Sequence, residues 1–444
     1  MNQNTPTNFV PVAKNACGIK FRRMGVLAAA LGAAIPFSAL AAPSAQTIFS
    51  FDVGPEGAKP RSGLIMDQAG ALYGTTSAGG NTSDCFRVPG CGVVFQMVPP
   101  PAGQTAATQT VLYTFTGGAD GSAPYGGLLM DSTGALYGTT SQGGTNGYGV
   151  VFKLTPPAQG MTNWTETTLL SFANGRDGAT PLGALVQDSA GALYGSTMAG
   201  GVSGFGVIFR LSPPRGKGGD WHETVLHPFR GGNDGGAPVA GLAIDGAGTL
   251  YGSTPGYGAN GFGVAFSLSP PAAGEKVWKE TILHAFKNGR DGSYPQGSFI
   301  LDQAGAIYGT TSNSGTNATG LGVVFKLIPP RAGKLKWFER VLFDFDSLES
   351  SAAHPTGPLA MDGAGALYGT SVAGGAEQMG VLFKLTRPRG AGLWTESELE
   401  QFNGNGSDGA QPTGGVVVDP AGTLFGTTYV GGEYFYGAVF EVTQ

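Results

Sequence analysis

The stretch Gly183-Ala-Leu-Val-Gln-Asp188-Ser-Ala-Gly191-Ala-Leu193-Tyr194-Gly195-Ser-Thr-Met-Ala-Gly-Gly201 decides the fold, because seven versions of it run through the chain. Its core, D-x-x-G-x-[LI]-[YF]-G-[TS]-[TS], begins at Asp67, Asp131, Asp188, Asp245, Asp302, Asp362 and Asp419. The aromatic falls at Tyr73, Tyr137, Tyr194, Tyr251, Tyr308, Tyr368 and Phe425, at intervals of 64, 57, 57, 57, 60 and 57 residues. A fixed period of this length implies stacked supersecondary units in place of one irregular core.

Each unit reads as four short strands. In the second, residues 127–130 are one strand and Asp131-Ser-Thr-Gly134 its turn; residues 135–140 form the return strand. An Asp at the first turn position can bond the backbone two residues on, and a Gly at the fourth supplies positive φ. Residues 149–155 are a third strand, stopped by Pro156-Pro157, and 166–172 a fourth. The loop 173–178 and Pro181 then lead into the next unit. Four antiparallel strands repeated radially describe the blade of a β-propeller, so the expectation is an all-β, seven-bladed ring. Helical solenoids are excluded by the absence of 3.6-residue periodicity.

The ends of the repeat region complement each other. Residues 47–51 are a fourth-strand sequence and 437–442 a third-strand sequence. Each end supplies what the other lacks, so the ring is expected to close by pairing the N-terminal strand into the last blade. Close packing of sheets about an axis also gives a use for 78 glycines in 444 residues.

Residues 1–41 read as a signal peptide. Lys14, Lys20, Arg22 and Arg23 precede an apolar run from Met24 to Leu40, which ends in the small-x-small site Ala39-Leu40-Ala41. The remainder, 42–444, is expected to be a single propeller domain. Removing the four leader cations takes the net charge from −5 to −9. An acidic surface argues against nucleic acid and, once the leader is gone, against membranes as partners. The expected location is secreted and extracellular, with the periplasm as the alternative, and the expected state is a monomer. Cys85 and Cys91 lie in an insertion of the first unit, and in an oxidising compartment so short a loop is expected to close as a disulfide.

Trp164, Trp221, Trp278, Trp337 and Trp394 each lie eight residues before the Phe that ends a fourth strand, and read as packing residues. The units, with L-Y-G-T-T, the following G-G, G-V-V-F and W-x-E-x-x-L-x-x-F, resemble the GloVer repeats of bacterial choice-of-anchor proteins over residues 46–444. That resemblance implies an exported bacterial protein with a propeller-like fold. It brings no catalytic residue with it.

Candidate chemistry must come from the residues. The loop between units, [GN]-x-D-G-x-x-P, places Asp120, Asp177, Asp234, Asp291 and Asp408 four residues before a proline. Glu56 and Ser351 take that place in the remaining units. In a propeller these loops share one face, where a ring of carboxylates could bind sugar hydroxyls or hold calcium. The alternative is repeated Asp-Gly turn chemistry. No cofactor motif is present, and apart from calcium none is expected. His227 and His284 occupy one position of successive fourth strands, aligned here with Thr114, Ser171, Asp344 and Gln401, and that variability reads as an exposed strand position in preference to a metal ligand, so no metal-ligating residue is expected.

Two function classes follow. The first is an exported binding or scaffold propeller that contacts glycan or protein through its loop-rich face and needs no catalytic group. The second is an extracellular polysaccharide-active hydrolase or lyase, to be sought beside the irregular sixth loop, residues 346–354.

Overall fold

The computed structural model describes residues 44–444, apart from 81–84, 86–88, 102–103, 217, 316–319, 332–333, 335, 347–350, 391 and 406–407. The leader expected over 1–41 lies outside the described residues.

Seven antiparallel sheets form the seven blades. The third blade is representative. Val186–Gln187 pairs with Leu193–Thr197, which pairs with Val207–Ser212, which pairs with His222–Pro228. The first strand is only two residues long because the preceding residues turn toward the axis. The chain ends meet as their sequences predict: Ser44–Ser50 pairs with Ala438–Thr443, from Ser44 opposite Thr443 to Ser50 opposite Ala438. The N-terminal strand is thus the fourth strand of the seventh blade.

The D-x-x-G turn is held by its aspartate. In the third blade Asp188 Oδ1 accepts the N–H groups of Ala190 and Ala192, and Oδ2 accepts the Tyr194 hydroxyl at 2.9 Å. Six units repeat the tyrosine bond; in the seventh, Phe425 cannot make it. At this end of the blades the tryptophans do the bridging. Trp221 packs edge-on against Tyr137 of the blade before it, and Trp278 and Trp337 do the same against Tyr194 and Tyr251.

Between the blades lies a ring of phenylalanine pairs. The Phe that ends each fourth strand packs on the Phe of the next blade's third strand, with centroids 5.0–5.5 Å apart at all seven junctions, Phe51 on Phe95 included. The third-strand ring in turn lies over the glycine of L-Y-G. A Cβ on Gly195 would fall 2.6 Å from Phe209 Cζ, which explains why glycine recurs there.

Each fourth strand carries one extra residue opposite the third, as between Ile208 and Phe209 in the third blade. The bulge turns an additional apolar side chain into the space between blades, such as Leu226, Leu283 and Leu342.

Phe209→Ala should therefore cost about 3–5 kcal/mol, the range for emptying a buried aromatic site. Denaturant unfolding checks this, and a loss below about 1 kcal/mol would mean that the inter-blade core does not depend on the ring.

Candidate functional site

One face of the ring is built from two loop sets that hold each other in place. The loop entering each blade pairs with the loop joining that blade's second and third strands, through single bridges such as Ala179 with Ala199 and short ladders such as Gly409–Ala410 with Val430–Gly431. The residue before each loop proline is Lys59, Ala123, Thr180, Ala237, Tyr294, His354 or Gln411. All seven have left-handed φ between 53° and 58°. A non-glycine residue there costs roughly 1–2 kcal/mol. A tertiary bond offsets it: each donates its N–H to a carbonyl of the preceding blade, as Lys59 does to Tyr436 at 2.7 Å and Thr180 to Tyr148 at 2.9 Å.

The proline then directs the chain to the axis. Arg61, Tyr125, Leu182, Val239, Gln296, Thr356 and Thr413, one from each blade, ring the mouth of a channel of about 270 Å3. Below them the wall is mostly small residues, including Gly63, Gly127, Gly183, Gly241 and Gly414, with Leu64, Ile65, Leu128 and Pro358 among them. Gly126 and Gly183 have no room for a side chain, since a Cβ would lie 2.6 Å from the Gly183 carbonyl in the first case and 2.4 Å from that of Ala240 in the second. The collar is where the repeat stops repeating.

Its most distinctive part spans the closing seam. The Arg61 guanidinium lies 4.1 Å from the Tyr429 ring centre and 4.7 Å from that of Tyr125, and donates to the Tyr429 hydroxyl at 2.7 Å. Its Nε is buried without a hydrogen-bond partner. Lys59 stands 5.9 Å from the same Tyr429 ring. A second cavity of about 90 Å3 adjoins this group, lined by Lys59, Arg61, Ser122, Tyr125, Gln142, Tyr429 and Cys85. Cys85 and Cys91 are disulfide-bonded, with Cα atoms 5.1 Å apart, and Cys85 and Gly90 form part of the wall. Further out on this face Tyr257, Tyr294, Tyr434 and Phe435 are exposed.

The loop carboxylates sit elsewhere. None of Asp120, Asp177, Asp234, Asp291, Asp408 or Glu56 lines either cavity. Each Asp accepts backbone N–H groups of its own loop: Asp120 from Thr116, Asp177 from Gly175, Asp234 from Arg230, Asp291 from Lys287 and Asp408 from Asn403. Asp120 also takes the Tyr113 hydroxyl, and Ser351 stands in by donating its hydroxyl to Glu396. Glu56 is exposed, and its carbonyl accepts from Gln109.

The glutamate of W-x-E in the next blade lies against this loop, a pairing not evident from the sequence. Burial, with the nearby Asp177 charge, pushes Glu223 up to about 7. Burial with Asp234 pushes Glu280 up to about 8. Glu400 is a different case, since it precedes the Asp408 loop on the sixth blade's own fourth strand, and burial with Asp408 pushes it up to about 7. Burial likewise raises Glu396 to about 7 despite its bond from Ser351.

The histidines need a correction. Strand register sets His227 opposite Ile208 and His284 opposite Ala265, level with Tyr113, Leu170, Phe343 and Glu400 and one residue away from Thr114, Ser171, Asp344 and Gln401. A one-residue slip reverses the face. Both imidazoles therefore point between blades, with side chains only 18% exposed. In the sixth loop, His354 Nδ1 bonds the Ser312 carbonyl at 2.7 Å, and Glu349 lies outside the described residues.

Residues 37–243 and 217–440 match the Gloeobacter/Verrucomicrobia repeat. The chain belongs to that family. No curated protein matches the sequence. Among solved structures, a Bacteroides uniformis protein assigned as a 6-phosphogluconolactonase is 14% identical, with a TM-score of 0.50 over 82% of this chain and 89% of its own. The extracellular domain of a one-component system from B. thetaiotaomicron is 11% identical, with a TM-score of 0.47 over 90% of this chain. The family chain spans 40% of that domain's length. A glucose dehydrogenase from Thermus thermophilus is 15% identical, with a TM-score of 0.39 over 74% of this chain and 94% of its own. Similarity at these identities bears on the fold alone.

The raised glutamates set a pH dependence. In the folded chain they keep protons that the unfolded chain, with glutamates near 4.3, gives up, so stability falls as pH rises from about 5 to about 8. Melting temperature should decline over that window and decline less in Glu223→Gln. A melting temperature that rises with pH there would contradict the assignment.

Proposed function

We propose that this protein is an exported binding propeller that holds an extracellular polysaccharide at the mouth of its axial channel. The observation that carries the reading is Arg61, set between Tyr125 and Tyr429 beside Lys59, on a face that also exposes Tyr257, Tyr294, Tyr434 and Phe435. Flat aromatic faces stack on the C–H faces of pyranose rings, while guanidinium, ammonium and phenol groups supply hydrogen bonds to hydroxyls and carboxylates. Two cations at the mouth of an acidic protein favour a sugar carrying a carboxylate.

Repeated left-handed residues support a binding role. Backbone strain held at seven equivalent loops, each by a bond to the blade before it, presents variable side chains on a rigid frame. The disulfide suits an oxidising compartment, and the leader read over 1–41 supplies the route. Hydrolysis would need paired carboxylates flanking the bound sugar, whereas the Asp and Glu pairs lie between blades.

An array of neutral and acidic polysaccharides tests the reading. Saturable binding to one acidic class is expected, weakened about tenfold or more by Arg61→Ala with little change in melting temperature. Full binding by Arg61→Ala would move the site off the collar, and an array without a hit would leave a protein ligand as the better reading.

A further inference from the structure

Seven equivalent seams join the blades, and their fillings differ at three positions. One is the fourth-strand residue two before the closing Phe, the second is the loop residue four before Pro, and the third comes from the next blade's fourth strand. The first seam holds Tyr113, Asp120 and Glu166, with the Tyr113 hydroxyl donating to Asp120 at 3.0 Å. The second holds Leu170, Asp177 and Glu223. In the third and fourth seams the first position is histidine.

We propose that the third seam is a zinc-class metal site, with His227 Nε2, Asp234 Oδ2 and Glu280 Oε1 as its protein ligands. Three segments from two blades bring these atoms together. His227 Nε2 lies 3.6 Å from Asp234 Oδ2 and 3.6 Å from Glu280 Oε1, and all three donors lie within 4.8 Å of one another. Ligands about 2.1 Å from one ion at tetrahedral angles lie roughly 3.4 Å apart, so the set is near ligation spacing and too wide for direct hydrogen bonds.

Two of the donors have no other employment. His227 Nε2 and Glu280 Oε1 are both shielded from solvent and lack a hydrogen-bond partner, a state that buried polar atoms rarely occupy. Asp234 is already oriented, since its Oδ2 accepts the Arg230 N–H at 3.0 Å, as outer contacts orient metal ligands elsewhere. The side chains of all three are 17–18% exposed, so the cluster lies just beneath the surface. One imidazole with two carboxylates suits zinc, cobalt or nickel, whereas calcium takes oxygen ligands alone.

The fourth seam supplies an internal comparison. His284, Asp291 and Glu339 repeat the residue types, but His284 Nε2 bonds Asp291 Oδ2 directly at 2.9 Å. That contact occupies the position an ion would take. The third seam, with the same chemistry held open, is therefore the one assigned. This inference does not rest on the collar, because the seam and the channel share no lining residue.

The test uses untagged, chelator-stripped protein titrated with zinc and, separately, with cobalt. One ion per chain, visible absorption from bound cobalt and a melting temperature raised by roughly 2–5 °C are expected. His227→Leu should abolish all three while keeping the metal-free melting temperature near that of the unaltered protein, since Leu170 fills the same position of the second seam. His284→Leu should leave binding intact. Stoichiometric zinc binding that survives His227→Leu, binding lost only in His284→Leu, equal stabilisation by calcium, or no saturable binding would each overturn the proposal.

Discussion

Packing of sheet on sheet around an axis is the constraint on which the rest of this structure depends, and the phenylalanine pairs are how the chain meets it. At every junction one ring ends a fourth strand and the other rises from the next blade's third strand. The second ring needs the space above the L-Y-G glycine, as the 2.5 Å approach of a Gly138 Cβ to Phe152 Cζ shows. Burial of the pairs supplies the inter-blade core, and their position fixes how closely the inner strands approach the axis. The glycine wall of the channel follows from that approach.

Holding the frame rigid leaves two regions free to differ between units. One is the collar, where the residues on either side of the loop proline face the channel mouth. The other is the outer seam, where a side chain from the fourth strand meets the loop residue and a group from the next blade. Both lie on the loop side of the ring, and both use strain or desolvation that the surrounding packing sustains. The opposite end is uniform by comparison, since its aspartate turns and tyrosine hydroxyl bonds recur with little variation.

The seven-fold period, the four strands and the shared seventh blade were legible because each depends on local patterning: alternation, turn residues and the split between first and last strands. The carboxylates were visible as a repeat, and their turn bonding was one of two stated readings. What the sequence hid were contacts across blades. Glu223 and Glu280 meet their loop aspartates through pairing between successive units. The histidine register was legible, because His227 stands two residues before Phe229 whereas Ser171 directly precedes Phe172. The collar carried a signal that motif reading passes over, because Arg61 and Tyr125 stand where the repeat pattern lapses.

Closure decides the account. Arg61 belongs to the first blade, Tyr125 to the second and Tyr429 to the seventh, so the collar exists only if residues 368 positions apart meet at the last seam. Gln46 pairs with Glu441 in the strand ladder that makes this junction. Gln46→Cys with Glu441→Cys places two thiols at that pair, and their oxidation state can be read by mass spectrometry of the intact folded protein. Formation of a 46–441 disulfide within monomeric chains, with a raised melting temperature, is the predicted result. Free thiols under oxidising conditions that close the Cys85–Cys91 bond would contradict the closed ring and the collar with it.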